Sequence, residues 1–182
     1  MKTQSLPINQ PRRKNRAKDD EWIKAFLHRV PFGMLATESE GQPFLKPTMF
    51  VYDEADHAIY IHGALEGRMR TNIEANPRVS FCIAEMGRLL PADTAMDVGV
   101  EYASVVVFGK AEVLSDAEQR RHVLQLLLDR YFPHLKPGKD YREIIPQELN
   151  ITAVYRIGIE AWSGKEEHAR EDFPGAFNYQ AP

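Results

Sequence analysis

The chain has 182 residues, 43% of them hydrophobic and 27% charged, with a net charge of -3. That composition builds a core, fits one domain and excludes an intrinsically disordered chain. The acidic balance argues against a general nucleic-acid binder, because binding along a phosphate backbone needs a basic face.

Residues 1–18, ending "PRRKNRAK", are polar, proline-bearing and basic, and read as a flexible arm. Met1–Asp20 contains no apolar run of a signal peptide. Nor does any segment reach the roughly 20 apolar residues of a membrane helix. Helical spacing starts at "DDEWIKAFLHRV": Asp19 or Asp20 can cap it, Trp22, Ile23, Phe26 and Leu27 form one stripe, and Pro31 ends it. Strand-like runs follow, "FGMLATE", "PFLKPTMFVYD", "AIYIHG" and "RVSFCIAEM", each bounded by turn chemistry such as "SEGQP". Cys82, the single cysteine, sits within the last of these as core filler. One cysteine allows no intrachain disulfide and suits a reducing compartment, so the expected location is cytoplasmic, with no membrane or nucleic-acid partner.

Residues Leu89–Glu101 read as loop. "YASVVVFGKAEVL" is the most strongly β stretch, and its run Ser104–Phe108 is apolar on both faces. In "SDAEQRRHVLQLLLDRYF", Ser115 and Glu118 form a capping box, and Leu124, Leu127, Leu128 and Tyr131 mark a core-facing stripe. A last strand, "TAVYRIGIEAWSG", closes the pattern. Strands arriving in sequence with two or three helices between them indicate a mainly β, α+β fold. The expected architecture is a small antiparallel barrel with helical decoration.

One stretch carries chemistry. In "AIYIHGALEGRMRTNIEANPRV" a strand ends at His62–Gly63, where glycine permits a sharp exit or a ligand's close approach. A short helix follows over about Gly67–Ala75, with Met69 and Ile73 inward and Arg68 and Arg70 in its first turn. Cations are disfavoured at a helix N-terminus unless an anion binds there. A phosphate is that anion, and arginine grips it with a two-pronged fork. The bland alternative is two solvated arginines on an exposed turn. His62 has its own bland reading as a half-buried, hydrogen-bonded histidine. The remaining histidines lack metal-ligand spacing, so no metal site is expected.

With these motifs in order, the chain resembles the FMN-binding split-barrel superfamily, and more narrowly its pyridoxamine 5′-phosphate oxidase-like branch, which includes nitroimidazole-resistance-type proteins. The resemblance rests on the His-Gly strand end, "GR" opening a basic helix closed by "NP", and the terminal "SGK". It covers residues 19–165, leaving 166–182 as a C-terminal tail. It implies an antiparallel split β-barrel, a homodimer, and FMN at the subunit interface. It assigns Pro47, Thr48 and Met49 to the isoalloxazine ring and His62 and Gly63 to its side or the ribityl chain. Arg68 and Arg70 fall on the phosphate, Ser104 approaches the cofactor from the partner chain, and Trp162 and Lys165 lie at the far rim. Relatives often have lysine where this chain has Met69, so a phosphate ligand is missing or Arg70 replaces it.

The implied activity is FMN-dependent oxidation or reduction of a small molecule, with no catalytic acid or base singled out. A flavin store or sensor is the plainer alternative. A haem-binding split barrel is another, with His62 or His168 as iron ligand, and a deazaflavin is a third cofactor. Pyridoxamine 5′-phosphate itself is not the expected substrate. Its phosphate needs cations, and the end "EEHAREDFPGAFNYQAP" offers Arg170 among Glu166, Glu167, Glu171 and Asp172.

Overall fold

The structure is a computed structural model and describes residues 7–180. In chain order it contains a 3-10 turn at Lys14–Arg16, then β1 (Ala17–Lys18), α1 (Asp20–Arg29), β2 (Phe32–Ser39), β3 (Gln42–Met49), β4 (Val51–Asp53) and β5 (Ala58–Gly63). There follow α2 (Arg68–Ala75), β6 (Arg78–Leu90), β7 (Gly99–Val113), α3 (Ala117–Tyr131), α4 (Pro146–Leu149) and β8 (Ala153–Glu167). The strands hydrogen-bond in the order β3-β2-β6-β7-β8-β5-β4, with β1 added alongside β8. The registered pairings of β1 with β8, β2 with β3 and β6, and β5 with β4 and β8 are all antiparallel. The fold is therefore mainly β with helices, as the sequence indicates. Among the described residues no helix is long and apolar enough to cross a membrane.

The chain forms two compact units. One comprises the described residues up to Val30, Ile83–Val106 and the described residues from Trp162 onward. Here the Asp19 carboxylate caps α1 by accepting from the Trp22 amide at 2.9 Å. Ile23, Phe26 and Leu27 are buried, while Trp22 stacks on Phe26 with ring centroids 4.9 Å apart. Arg16, in the basic segment, pairs with Glu167 and donates to the Tyr102 hydroxyl.

The same unit holds a strap. Glu101 is buried, and its carboxylate accepts from Arg88 Nε at 2.9 Å and from Nη2 at 2.7 Å. It also accepts from the Ala169 amide at 3.0 Å. The rest of the Arg88 fork donates to the carbonyls of Glu171 (2.8 Å) and Arg170 (3.0 Å). Further along, Leu89 and Phe177 exchange backbone hydrogen bonds of 2.8 and 3.1 Å. One ion pair thus organises the segment after β8. It also holds the Glu101 carboxyl down to about 2, with the Arg88 hydrogen bond as the largest cause.

The second unit comprises Pro31–Cys82 and Val107–Ala161. Phe50 and Phe81 meet edge to face at 4.9 Å, and both are fully buried. A further cluster joins Val51, Ala58, Tyr60 and Val154 to Val123 and Leu127 of α3. Burying each such aliphatic side chain stabilises by about 1.5–3 kcal/mol. Gly109 of β7 lies so close to β8 that an added Cβ would sit 2.1 Å from the Gly158 carbonyl oxygen.

Several local expectations change. Asp116, not Ser115, caps α3, accepting from the Gln119 amide at 2.8 Å. The loop expected over Leu89–Glu101 shrinks to residues 91–98, because β6 continues to Leu90 and β7 starts at Gly99. "PFLKPTMFVYD" breaks at Phe50 into β3 and β4. In the valine run, Val105 and Val107 are buried while Ser104, Val106 and Phe108 are half-buried, so the two faces are not equivalent.

Candidate functional site

The opening residues of α2 set the centre of the second unit's site. β5 pairs with β8, His62 opposite Val154 and Gly63 opposite Ala153. A Cβ on Gly63 would lie 2.9 Å from the Met69 Cε, so glycine here makes room for α2's own methionine. Gly67 then takes φ +119°, a conformation that side chains oppose, and α2 starts at the next residue. No side chain caps α2. The first amides of a helix have no intrahelical acceptor, so this end is electropositive and open to an anion.

What anchors α2 is on its other face. Met69, Asn72 and Ile73 are buried, and Asn72 Nδ2 donates to Thr37 Oγ1 of β2 at 3.0 Å. Asn76 Nδ2 donates to Glu38, and the Pro77 carbonyl accepts from the Ala111 amide at 2.8 Å. The "NP" ending thus pins the helix as well as stopping it.

The two arginines differ. Arg68 is exposed at the helix start. Arg70 is half-buried, and its Nε donates to Glu74 one turn on, which together with Tyr155 raises its already high pKa. Glu74 at i+4 was readable in "RTNIE" as a competitor for that guanidinium.

On β3, Thr48 faces inward, its hydroxyl donating to the Met49 carbonyl at 3.0 Å. Pro47 and Met49 face outward. Cross-strand pairing sets Phe32 beside Met49, Met34 beside Pro47 and Ala36 beside Leu45, and Phe32, Met34, Leu45 and Met49 are all exposed. The result is a ribbon of uncovered apolar side chains on β2 and β3.

Met49 and His62 come together in the wall of a cavity of about 620 Å³. Leu124, Leu127 and Leu128 of α3 form one side, and Leu135, Ile144 and Thr152 belong to the segment that follows it. His62 is held neutral: burial lowers its pKa, and Lys46 adds to the shift. Its Nδ1 is buried without a hydrogen-bond partner. Sequence reasoning missed this cavity. The available signal was α3's apolar positions, Val123 and Leu127 beside Leu124 and Leu128, which exceed one stripe.

Ser104, Trp162 and Lys165 belong to the first unit. Ser104 is half-buried between Ala103 and Val105 on β7. Trp162 Nε1 donates to the Asp20 carboxylate at 2.7 Å. Lys165 pairs with Ala17 and lies 5.2 Å from the Tyr102 ring centroid. Burial pushes the Tyr102 hydroxyl up, but hydrogen bonds from Arg16 and Lys165 outweigh it and lower its pKa.

Comparison with known proteins gives the family: residues 19–166 match the model of pyridoxamine 5′-phosphate oxidases. The chain belongs to the pyridoxamine 5′-phosphate oxidase family. Its fold is the antiparallel split barrel that such proteins share. It is similar to a flavocytochrome from Azotobacter vinelandii, with a TM-score of 0.76 and 24% identity over 95% of this chain and 85% of that one. An FAD- and haem-binding protein from Mycobacterium smegmatis gives a TM-score of 0.74 and 22% identity over 92% and 87% of the two chains. An FAD-binding protein from Mesorhizobium loti gives 0.61 and 27% over 84% and 98%. No curated protein sequence matches the chain significantly.

Proposed function

We propose that the chain binds a flavin through the end of β5 and the start of α2, and uses it in oxidation or reduction of a small molecule. The carrying observation is the uncapped N-terminus of α2, set by Gly67 at φ +119° with Arg68 exposed beside it. These groups fit a phosphate: free amides, a helix dipole and one unengaged fork. FMN, with a single phosphate, is the cofactor favoured; FAD appears in the names of three similar structures and is the other flavin to test. A bound flavin would supply the electron transfer. The β3 backbone at Pro47, Thr48 and Met49 would border its ring, and neutral His62 would offer a hydrogen bond without a charge. Arg70 contributes less than Arg68, because Glu74 already engages it.

The purified protein is expected to be yellow and to release FMN on denaturation. A hydrogen bond to a charged group is worth roughly 1.5–3 kcal/mol, and tenfold in affinity about 1.4 kcal/mol. Arg68→Ala should therefore weaken flavin binding by about ten- to a hundredfold, with Arg70→Ala milder. A colourless protein that takes up no flavin in excess sinks the reading; equal affinity of the double variant removes both arginines from it.

The reading includes a homodimer with the flavin at its interface. Support comes from the uncovered ribbon of Phe32, Met34, Leu45 and Met49, a contiguous apolar surface of the kind that marks protein contacts. Light scattering should give twice the chain mass, and Phe32→Asp together with Leu45→Asp should halve it. A parent that is monomeric at micromolar concentration contradicts this part.

Pyridoxamine 5′-phosphate is not the substrate in this reading. Arg170 faces Asp172 at 3.7 Å, and its carbonyl is taken by Arg88. A haem reading draws support from neutral His62 in the cavity wall, since neutral imidazole is the metal-binding form. Two similar structures also bear haem or flavocytochrome names. Against it, metal-bound histidines normally have the second nitrogen held, and His62 Nδ1 is not. An absorption spectrum separates haem from flavin.

A further inference from the structure

We propose that the cavity beside α3 binds an uncharged, largely apolar ring compound of drug-like size, of the quinone class. The cavity's volume of about 620 Å³ lies within the usual range for such guests. The argument begins with α3, which has apolar side chains on two faces. Val123 and Leu127 complete the core cluster with Val51, Ala58 and Val154. That seating accounts for one face. Leu128, one position further round the helix, is only half-buried and lines the cavity with Met49, Phe132 and Ile144, while Leu124 and Leu127 reach both the core cluster and the cavity wall. Apolar area left facing water is unfavourable, and a concave apolar wall relieves that by taking a guest.

The polar groups in the wall decide the guest's charge. Arg142 is the one arginine of the lining, and it is committed: Nη1 and Nη2 reach the two carboxylate oxygens of Glu148 at 3.2 and 3.1 Å. Glu148 in turn accepts from the Ile145 amide at 3.0 Å. The Tyr131 hydroxyl is engaged by the Phe50 backbone, and Tyr141 by Gln125 at 2.9 Å. Thr152 remains to meet a guest carbonyl, and His62 does so where no flavin takes its hydrogen bond. With the lining's charges paired internally, a dianion such as haem with its two propionates meets no unpaired cation. An uncharged ring with one or two carbonyls suits both the walls and the polar groups. That the guest exchanges electrons with a flavin rests on the function proposed above; that it binds does not.

The test uses the full chain, with and without added FMN, in equilibrium dialysis. The probes are 2,3-dimethyl-1,4-naphthoquinone, whose blocked ring positions prevent addition to Cys82, its prenylated analogue, and the same ring bearing a carboxylate chain. Saturable binding of one neutral quinone per chain is expected, at least tenfold tighter for the prenylated ring and at least tenfold weaker for the carboxylate. Leu128→Trp, which fills the cavity from α3, should lower quinone affinity at least tenfold with an unchanged melting transition. Should it fail to fold, Ile144→Trp fills the space from the opposite wall with the same expectation. Absent quinone binding, equal binding by the filled variants, or preference for the carboxylate overturns the proposal. So does stoichiometric haemin uptake that Leu128→Trp abolishes. Quinone binding by a protein that takes up no flavin sinks only the flavin reading, and flavin uptake without quinone binding sinks only this one.

Discussion

Gly109→Ala is expected to destabilise the protein by upwards of about 3 kcal/mol, beyond the usual 1–3 kcal/mol of an overpacked core. The new methyl would lie 2.1 Å from the Gly158 carbonyl oxygen and 3.1 Å from its carbon, whereas ordinary contact begins near 3.4 Å. A flexible side chain would swing aside, but these are backbone atoms of the neighbouring strand. β7 and β8 must separate or buckle, in the unit that also holds β5 and its His62–Gly63 end. At about 2–4 °C per kcal/mol for a chain of this length, the melting midpoint should fall by roughly 6–12 °C or more. Urea unfolding of the variant within about 1 kcal/mol of the parent would show that the strands yield easily, and that the close approach is not a constraint.

Arg88→Ala is expected to release the segment from Ala169 to Phe177. The substitution removes the donors to the backbone carbonyls of Arg170 and Glu171, and leaves buried Glu101 with the Ala169 amide and His168 Nδ1 at 3.5 Å in place of the Arg88 fork. Trypsin should then cut after Arg170 at least tenfold faster. The parent should show the same loosening in acid. Glu101 has its pKa lowered to about 2 in the folded chain, against 4.5 ordinarily. A depressed carboxylate stabilises fully above about pH 4.5 and loses that contribution as pH falls toward 2. Amide protection factors at Ala169 and Phe177 should therefore drop across that window in the parent, and be low at every pH in Arg88→Ala. Unchanged cleavage together with flat protection factors would mean the strap is held by the Leu89–Phe177 bridge alone.

The parts of this fold legible in the sequence are those with strong local punctuation. Gly67 before α2 and Asn76–Pro77 after it bound the helix in both readings, because the backbone there depends on those residue types. The α1 stripe of Ile23, Phe26 and Leu27 was legible for the same reason: three buried positions at helical spacing behind an aspartate cap. Pairing-dependent features were not. Nothing local in "MFVYD" announces the break at Phe50, which arises where Tyr131 takes both backbone groups of that residue. The extension of β6 to Leu90 and β7 from Gly99 depends on strand partners, not on propensity. In the candidate site, the arginines were visible, and the one local sign of their inequality was Glu74 at i+4 from Arg70. The α3 cavity was hidden because its far wall, Phe132–Thr152, has no periodic pattern of its own.

The Leu89–Phe177 bridge also bears on how this chain can be handled. Tyr179 is two residues beyond Phe177, and an extended chain spans at most about 3.6 Å per residue, or roughly 7 Å in all. A fluorophore placed at exposed Tyr179 is thereby held within that reach of a hydrogen-bonded bridge, without any engineered rigid spacer. A dye placed there becomes a distance gauge whose reading lengthens when the Arg88–Glu101 pair is broken.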